Sequence, residues 1–136
     1  MVHIDSELVR LLMRIGYAAA WQGLHKEAVA IFDGVGAVRP ESEVPIIGAA
    51  VVAMLSGHED VAVRTLREGA LGLNPDSAQA LAHLGVALRL RGDEDEGTSL
   101  LQEVASQTAD PDAAAMARNV LALSTEQLSR NSKSIL

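Results

Sequence analysis

Four histidines and one acidic run carry the side chains of this sequence that could hold a metal ion or move a proton. His25 and His58 fall at expected turns between helices, His3 lies near the start, and His83 sits inside a helix. Of these, His58 is followed by Glu59 and Asp60, but zinc needs three or four ligands converging on one point. The trio reads as the solvated start of a helix. Asp93-Glu94-Asp95-Glu96 suggests calcium by composition, yet acidic residues gather at helix N-termini because the helix dipole favours negative charge there. The chain has no cysteine, which removes thiolate metal sites, disulfides and a thiol nucleophile together. A Gly-rich phosphate loop with its lysine and a G-x-S-x-G elbow are also missing. No metal, cofactor or catalysis is expected.

What the residues do show is spacing. Gly23 is answered by Gly57 at an interval of 34 and by Gly92 after a further 35. Ala28 is answered by Ala62 and Gly97, Phe32 by Leu66 and Leu101, Gly16 by Ala50 and Gly85, and Pro40 by Pro75. Small residues, a large apolar residue and a closing proline thus return in the same order. A repeated unit of two short helices explains this: small residues where the helices cross, Phe32 as the wedge between them, and proline where the second helix stops.

The helices can be placed from their caps and their apolar period. Asp5 and Ser6 are N-cap residues for a helix to about Gln22, with Leu8, Leu12, Ile15 and Ala19 at intervals of three and four. A second helix, about Lys26 to Val35, ends at Gly36 and Pro40. Ser42 caps the third, Glu43 to Ser56, where Pro45 is tolerated because the first turn has no helical partner for the missing N–H. That helix is apolar nearly all round. The next runs from Glu59 to about Leu71 before the turn Asn74-Pro75-Asp76-Ser77, and another from Ala78 to the turn at Arg91-Gly92-Asp93. Asp93 and Glu96 have the spacing of a capping box for a helix to about Gln107. Asp110-Pro111 opens a final helix to about Leu123.

The expected architecture is therefore all-α: a right-handed α-α superhelix of three helical hairpins, about residues 9–42, 43–77 and 78–111, with a capping helix at about 112–124. Residues 1–124 form one domain and 125–136 a C-terminal tail, whose last eight residues hold three serines and no periodicity. Turns are expected at Gly23, Gly57 and Gly92, and a close helix crossing at Gly85.

Composition bounds the partners. A formal charge of −7 argues against nucleic acid, which is gripped by Lys and Arg on phosphates, and one Trp, one Tyr and one Phe leave few stacking platforms. The longest mostly apolar stretch, Val44 to Leu55, is well short of the roughly 20 residues that span a bilayer. The opening Met-Val-His-Ile-Asp has neither the basic segment nor the apolar run of a secretory signal, so a cytoplasmic location is expected.

In stacked helical hairpins the first helix of each pair lines the inner wall. Taking the face beside each crossing residue gives Met13, Tyr17 and Trp21 from the first repeat, and Val44, Ile47, Val51 and Met54 from the second. The third gives Gln79, Ala82, Val86 and Arg89. This wall is apolar and would bind protein. Two readings of it stand: a plain core stripe, or a groove rich in the Met, Tyr and Trp side chains favoured at adaptable contact sites.

The period near 34, with these small, apolar and proline positions, resembles the tetratricopeptide repeat. Over about residues 7–123 the chain is similar to the small tetratricopeptide chaperones of bacterial type III secretion systems, in particular to the co-chaperone of the needle subunit. That resemblance implies a cytoplasmic bacterial chaperone or co-chaperone whose groove sequesters an amphipathic helix of a secreted or needle-type subunit, with a second small helical chaperone completing the complex. Repeat proteins that grip the carboxylate of heat-shock chaperones carry Lys, Asn and Arg on the inner wall. Here Met13, Tyr17 and Ile47 stand there, which argues against that client. The alternative is a structural adaptor that self-associates, as a homo-oligomer, through the same apolar face.

Overall fold

The computed structural model describes residues 5–131, and among them there is no strand. The chain runs α1 (Ser6–Trp21), α2 (His25–Val38), α3 (Val44–Leu55) and α4 (Glu59–Arg64). A π-helical turn (Thr65–Ala70) and the short α5 (Leu71–Leu73) follow, then α6 (Ala78–Arg91), α7 (Glu94–Ser106), α8 (Pro111–Leu121) and α9 (Thr125–Arg130). Helices pack in sequence-adjacent hairpins, and the first helices of successive pairs, α1, α3, α6 and α8, lie side by side. This is the expected stack of three helical hairpins with a closing helix.

The three glycine turns are the same turn. Gly23, Gly57 and Gly92 have φ of +82°, +76° and +107°, a region that disfavours any residue with a Cβ. After each, the next amide reaches back over the glycine: Leu24 N–H to Ala19 C=O at 2.9 Å, His58 to Ala53 at 2.8 Å, and Asp93 to Leu88 at 2.8 Å. These are Schellman closures, in which a left-handed residue lets the chain cover the helix's last carbonyls.

Close crossings stand where small residues recur. A Cβ on Gly16 would lie 2.5 Å from the Phe32 ring and one on Gly48 2.8 Å from it, so the ring wedges between α1 and α3. A Cβ on Gly85 would lie 2.7 Å from Leu101 Cγ, and one on Gly97 2.6 Å from the Gly85 carbonyl oxygen. Tyr17 stacks edge-on to Phe32 at 5.1 Å between centroids and to Trp21 at 5.5 Å, so the chain's three aromatic rings form one cluster.

The π turn explains the longer second interval. From Phe32 to Pro40 is eight residues, but from Leu66 to Pro75 is nine. The extra residue falls where the helix widens, at Thr65–Ala70, so the insertion is absorbed without moving the flanking crossings.

Three expectations are corrected. Asp93 is the N-cap of α7 but makes no capping bond; its carboxylate takes Arg91 Nε at 2.7 Å instead. The C-terminal tail expected from residue 125 begins as helix α9, capped by Ser124 and Gln127 in a capping box, with Leu128 fully buried. The remaining tail, 132–136, lies outside the described residues. Ser42 is also displaced as a cap: Glu43 is the N-cap of α3 and makes no capping bond, while Ser42 Oγ accepts from Val44 N–H at 3.2 Å. At the other helix starts Asp5 accepts from Leu8 N–H, Ser77 from Ala80 N–H and Asp110 from Ala113 N–H.

Candidate protein-binding groove

The expected wall divides into an open part and a closed part. On α1 and α3, Val44 is 46% exposed, Tyr17 and Trp21 are half-buried, and Met13, Ile47 and Met54 keep 5–8% of their surface. Val51, Ala82 and Val86 keep none. These three are core rather than wall, which corrects their assignment. They belong to one apolar cluster with Ala113, Ala117, Val120 and Leu128, because α8 and α9 pack onto α6. The middle helix α3 lacks a polar face because α1, α2, α4, the π turn and α6 all pack on it: eight of its residues are buried.

Arg89 is also corrected. At 4% exposure its guanidinium does not face a groove but reaches the end of α8, donating from Nη1 to Val120 C=O at 3.0 Å and from Nη2 to Leu123 C=O at 2.7 Å. Val120 C=O also takes Leu123 N–H at 3.0 Å, so the guanidinium adds a second donor there and closes the chain just past α8, where the negative end of the helix dipole favours a cation. Nη2 also lies 3.8 Å from Glu94, while Nε is buried without a partner among the described residues.

The open part consists of two adjoining clefts that meet at Val44. One, of about 610 Å³, lies between α1 and the α2–α3 turn and is lined by Val9, Met13, Tyr17 and Val44 with Arg10, Arg14, Arg39, Glu41 and two serines. The other, of about 540 Å³, has Val44, Ile47, Leu81 and Val104 on its apolar side, with Glu43, Asp76, Gln79, Glu103, Gln107 and Asp110 around them. Burial raises the Tyr17 phenol to about 12, so it remains a neutral, mostly apolar wall element at any physiological pH.

The charged rims were not singled out in the sequence. Arg10 and Arg14 were legible there, since residues 10, 13, 14 and 17 share one helical face. Glu103 and Asp110 were not, because they come from α7 and the α7–α8 turn and meet Val44 only through tertiary packing.

The histidines do not converge. His25 Nδ1 lies 3.0 Å from Ser56 Oγ; the hydroxyl donates to Val52 C=O at 2.7 Å, so the imidazole N–H is the donor in the first bond. His83 Nδ1–H donates to Gln79 C=O at 2.7 Å, and burial lowers its pKa below the usual imidazole range. His58 is exposed, and His3 lies outside the described residues. Members of the acidic run are engaged with the protein itself: Asp93 with Arg91, Glu94 with Thr125, Glu96 with Arg67. Among the described residues no group of three His, Cys, Asp or Glu could hold a metal ion.

No family model matches the chain, and no curated protein does. Its backbone does match a solved structure, that of the type III secretion translocator chaperone SycD of Yersinia enterocolitica, with a TM-score of 0.64 over 97% of this chain and 90% of SycD. The two chains share an all-helical fold. At 15% identity the likeness to SycD is one of fold, carried by the hairpin stack and not by shared side chains. Among the described residues no helix is long and apolar enough to cross a membrane.

Proposed function

We propose that this chain is a protein-binding tetratricopeptide module that acts as a chaperone or co-chaperone of type III secretion in the bacterial cytoplasm. Its client is an amphipathic helix of a secreted or needle-type subunit, and a second small helical chaperone completes the complex. The observation that carries this reading is the pair of clefts meeting at Val44, with Met13, Tyr17, Val44 and Ile47 as a continuous apolar floor on a chaperone fold. An apolar helix face left in water is an aggregation hazard, and a floor of this kind covers it. Of the expected wall, Met13, Tyr17, Val44 and Ile47 line the clefts; Trp21 and Met54 pack with the apolar core beside them, Val51, Ala82 and Val86 lie within that core, and Arg89 holds the end of α8.

The test is Val44→Asp, which places a charge at the junction on a side chain already half in water. Helicity and thermal unfolding should be unchanged, while a needle-type subunit that co-purifies with the native chain from its host should be lost. Retention of that subunit would put the client elsewhere.

One observation favours a second reading, a structural adaptor that self-associates. Leu8, Leu11 and Ile15 are 42%, 50% and 45% exposed along one face of α1. This stripe points away from the stack rather than into the groove, so self-association would use a different surface from the one anticipated. Light scattering on the purified chain distinguishes the readings: a concentration-dependent homodimer that Leu11→Gln abolishes supports the adaptor.

A further inference from the structure

The two clefts carry opposite charge. The chain has seven more acidic than basic side chains, yet the α1 cleft gathers Arg10, Arg14 and Arg39 against one carboxylate, Glu41. Arg10 and Arg14 are exposed, and among the described residues neither forms an ion pair, whereas Arg67, Arg89 and Arg91 all lie against carboxylates. The cleft beyond Val44 is lined by Glu43, Asp76, Glu103 and Asp110 and by no Lys, Arg or His. Asp110 is occupied, since it caps α8 and lies 3.5 Å from Gln79 Nε2; no ion pair engages Glu43, Asp76 or Glu103 among the described residues.

The helices set the distance between these poles. α1 packs on α3 and α3 on α6, and packed helices stand about 8–10 Å apart, so Arg10 and Arg14 on α1 are roughly 16–20 Å from the carboxylates at α6 and α7, with Glu43 at the start of α3 between them. A helix rising 1.5 Å per residue covers that span in about 11–13 residues, or three turns and a little more. We infer that the groove reads charge along its length: its occupant is an amphipathic helix of about three turns, carboxylates at the end over α1 and Lys or Arg at the end over α6 and α7. This rests on the groove reading above and adds the chemistry of the client to it. Exposed pairs are individually weak, but two or three acting together give about a tenfold preference, and a client of the wrong polarity meets like charge at both ends.

The experiment uses two synthetic helical peptides of about 14 residues with the same composition and the same apolar stripe. One carries Glu in its first turns and Lys in its last; the other alternates Glu and Lys along its polar face. Binding to the full chain is followed by fluorescence anisotropy at low salt and near 1 M salt, where the screening length falls to about 3 Å. The segregated peptide should bind about tenfold tighter at low salt and lose that advantage at high salt. Arg10→Glu with Arg14→Glu, both on exposed positions, should erase the ratio between the two affinities while helicity persists; Val44→Asp should weaken both peptides. Equal affinity of the two peptides for the native chain would overturn the charge reading and leave the groove standing. Binding by neither peptide, with helicity intact, would overturn both.

Discussion

The two ends of the helical stack are built differently. At the C-terminal end the chain returns over its last repeat: α8 and α9 bury Ala117, Val120 and Leu128 to zero exposure, and Arg89 ties the end of α8 to α6 across 31 residues of sequence. At the N-terminal end α1 has a partner on one side only, and Leu8, Leu11 and Ile15 stand in water at 42–50% exposure. A repeat cannot bury both faces of its helices by itself, so an array needs terminal elements with a polar outer face. This chain supplies one for its last repeat and none, among the described residues, for its first. One end of the stack is thus closed by its own chain and the other is not.

The sharpest way to break this asymmetry is Arg89→Ala. It removes two hydrogen bonds from a charged donor to buried carbonyls, each contributing about 1.5–3 kcal/mol, and should cost about 3 kcal/mol or more in urea unfolding. If stability were unchanged, the closed end would be held by apolar contact alone. Leu128→Ala should cost about 2 kcal/mol, the lower end for a buried leucine, because a terminal six-residue helix can undock locally. Hydrogen exchange should then rise first in α9, and uniform exchange along the chain would contradict local undocking.

Acid should act on the closed end as well. His83 is buried and its pKa is lowered, so protons bind the unfolded chain more readily than the folded one. The stability it contributes is present above the ordinary imidazole value near 6.5 and is lost as pH falls through and below it. The melting temperature should drop on acidification from neutral pH, and His83→Asn should remove that part of the dependence. The smallest effect on stability belongs to the open end: Leu11→Gln should change unfolding by less than about 0.5 kcal/mol, since no neighbour closes over that side chain. A large loss there would mean that α1 is sealed by contacts its exposure does not reveal.

Much of this was legible before any coordinates. Gly23, Gly57 and Gly92 sit where a left-handed residue must close a helix, Gly85 where two backbones touch, and Asp5, Ser77 and Asp110 where orphan amides need an acceptor. Such signals are local: each is a backbone conformation or a hydrogen bond satisfied within a few residues, so the sequence alone determines the helices, their turns and the hairpin repeat. Whether a side chain on the inner wall meets water is a different question. Ala82 and Val86 have the right face but lie under helices brought onto α6 from further down the chain, Val51 is enclosed by the helices packed around α3, and Arg89 has the right face yet finds its partners at the end of α8. The acidic half of the groove likewise exists only where α7 and the α7–α8 turn meet the start of α3. Exposure and charge juxtaposition are sums over distant segments, and no period in a single helix encodes them; that is why the tertiary structure alone decided which part of the wall stays open.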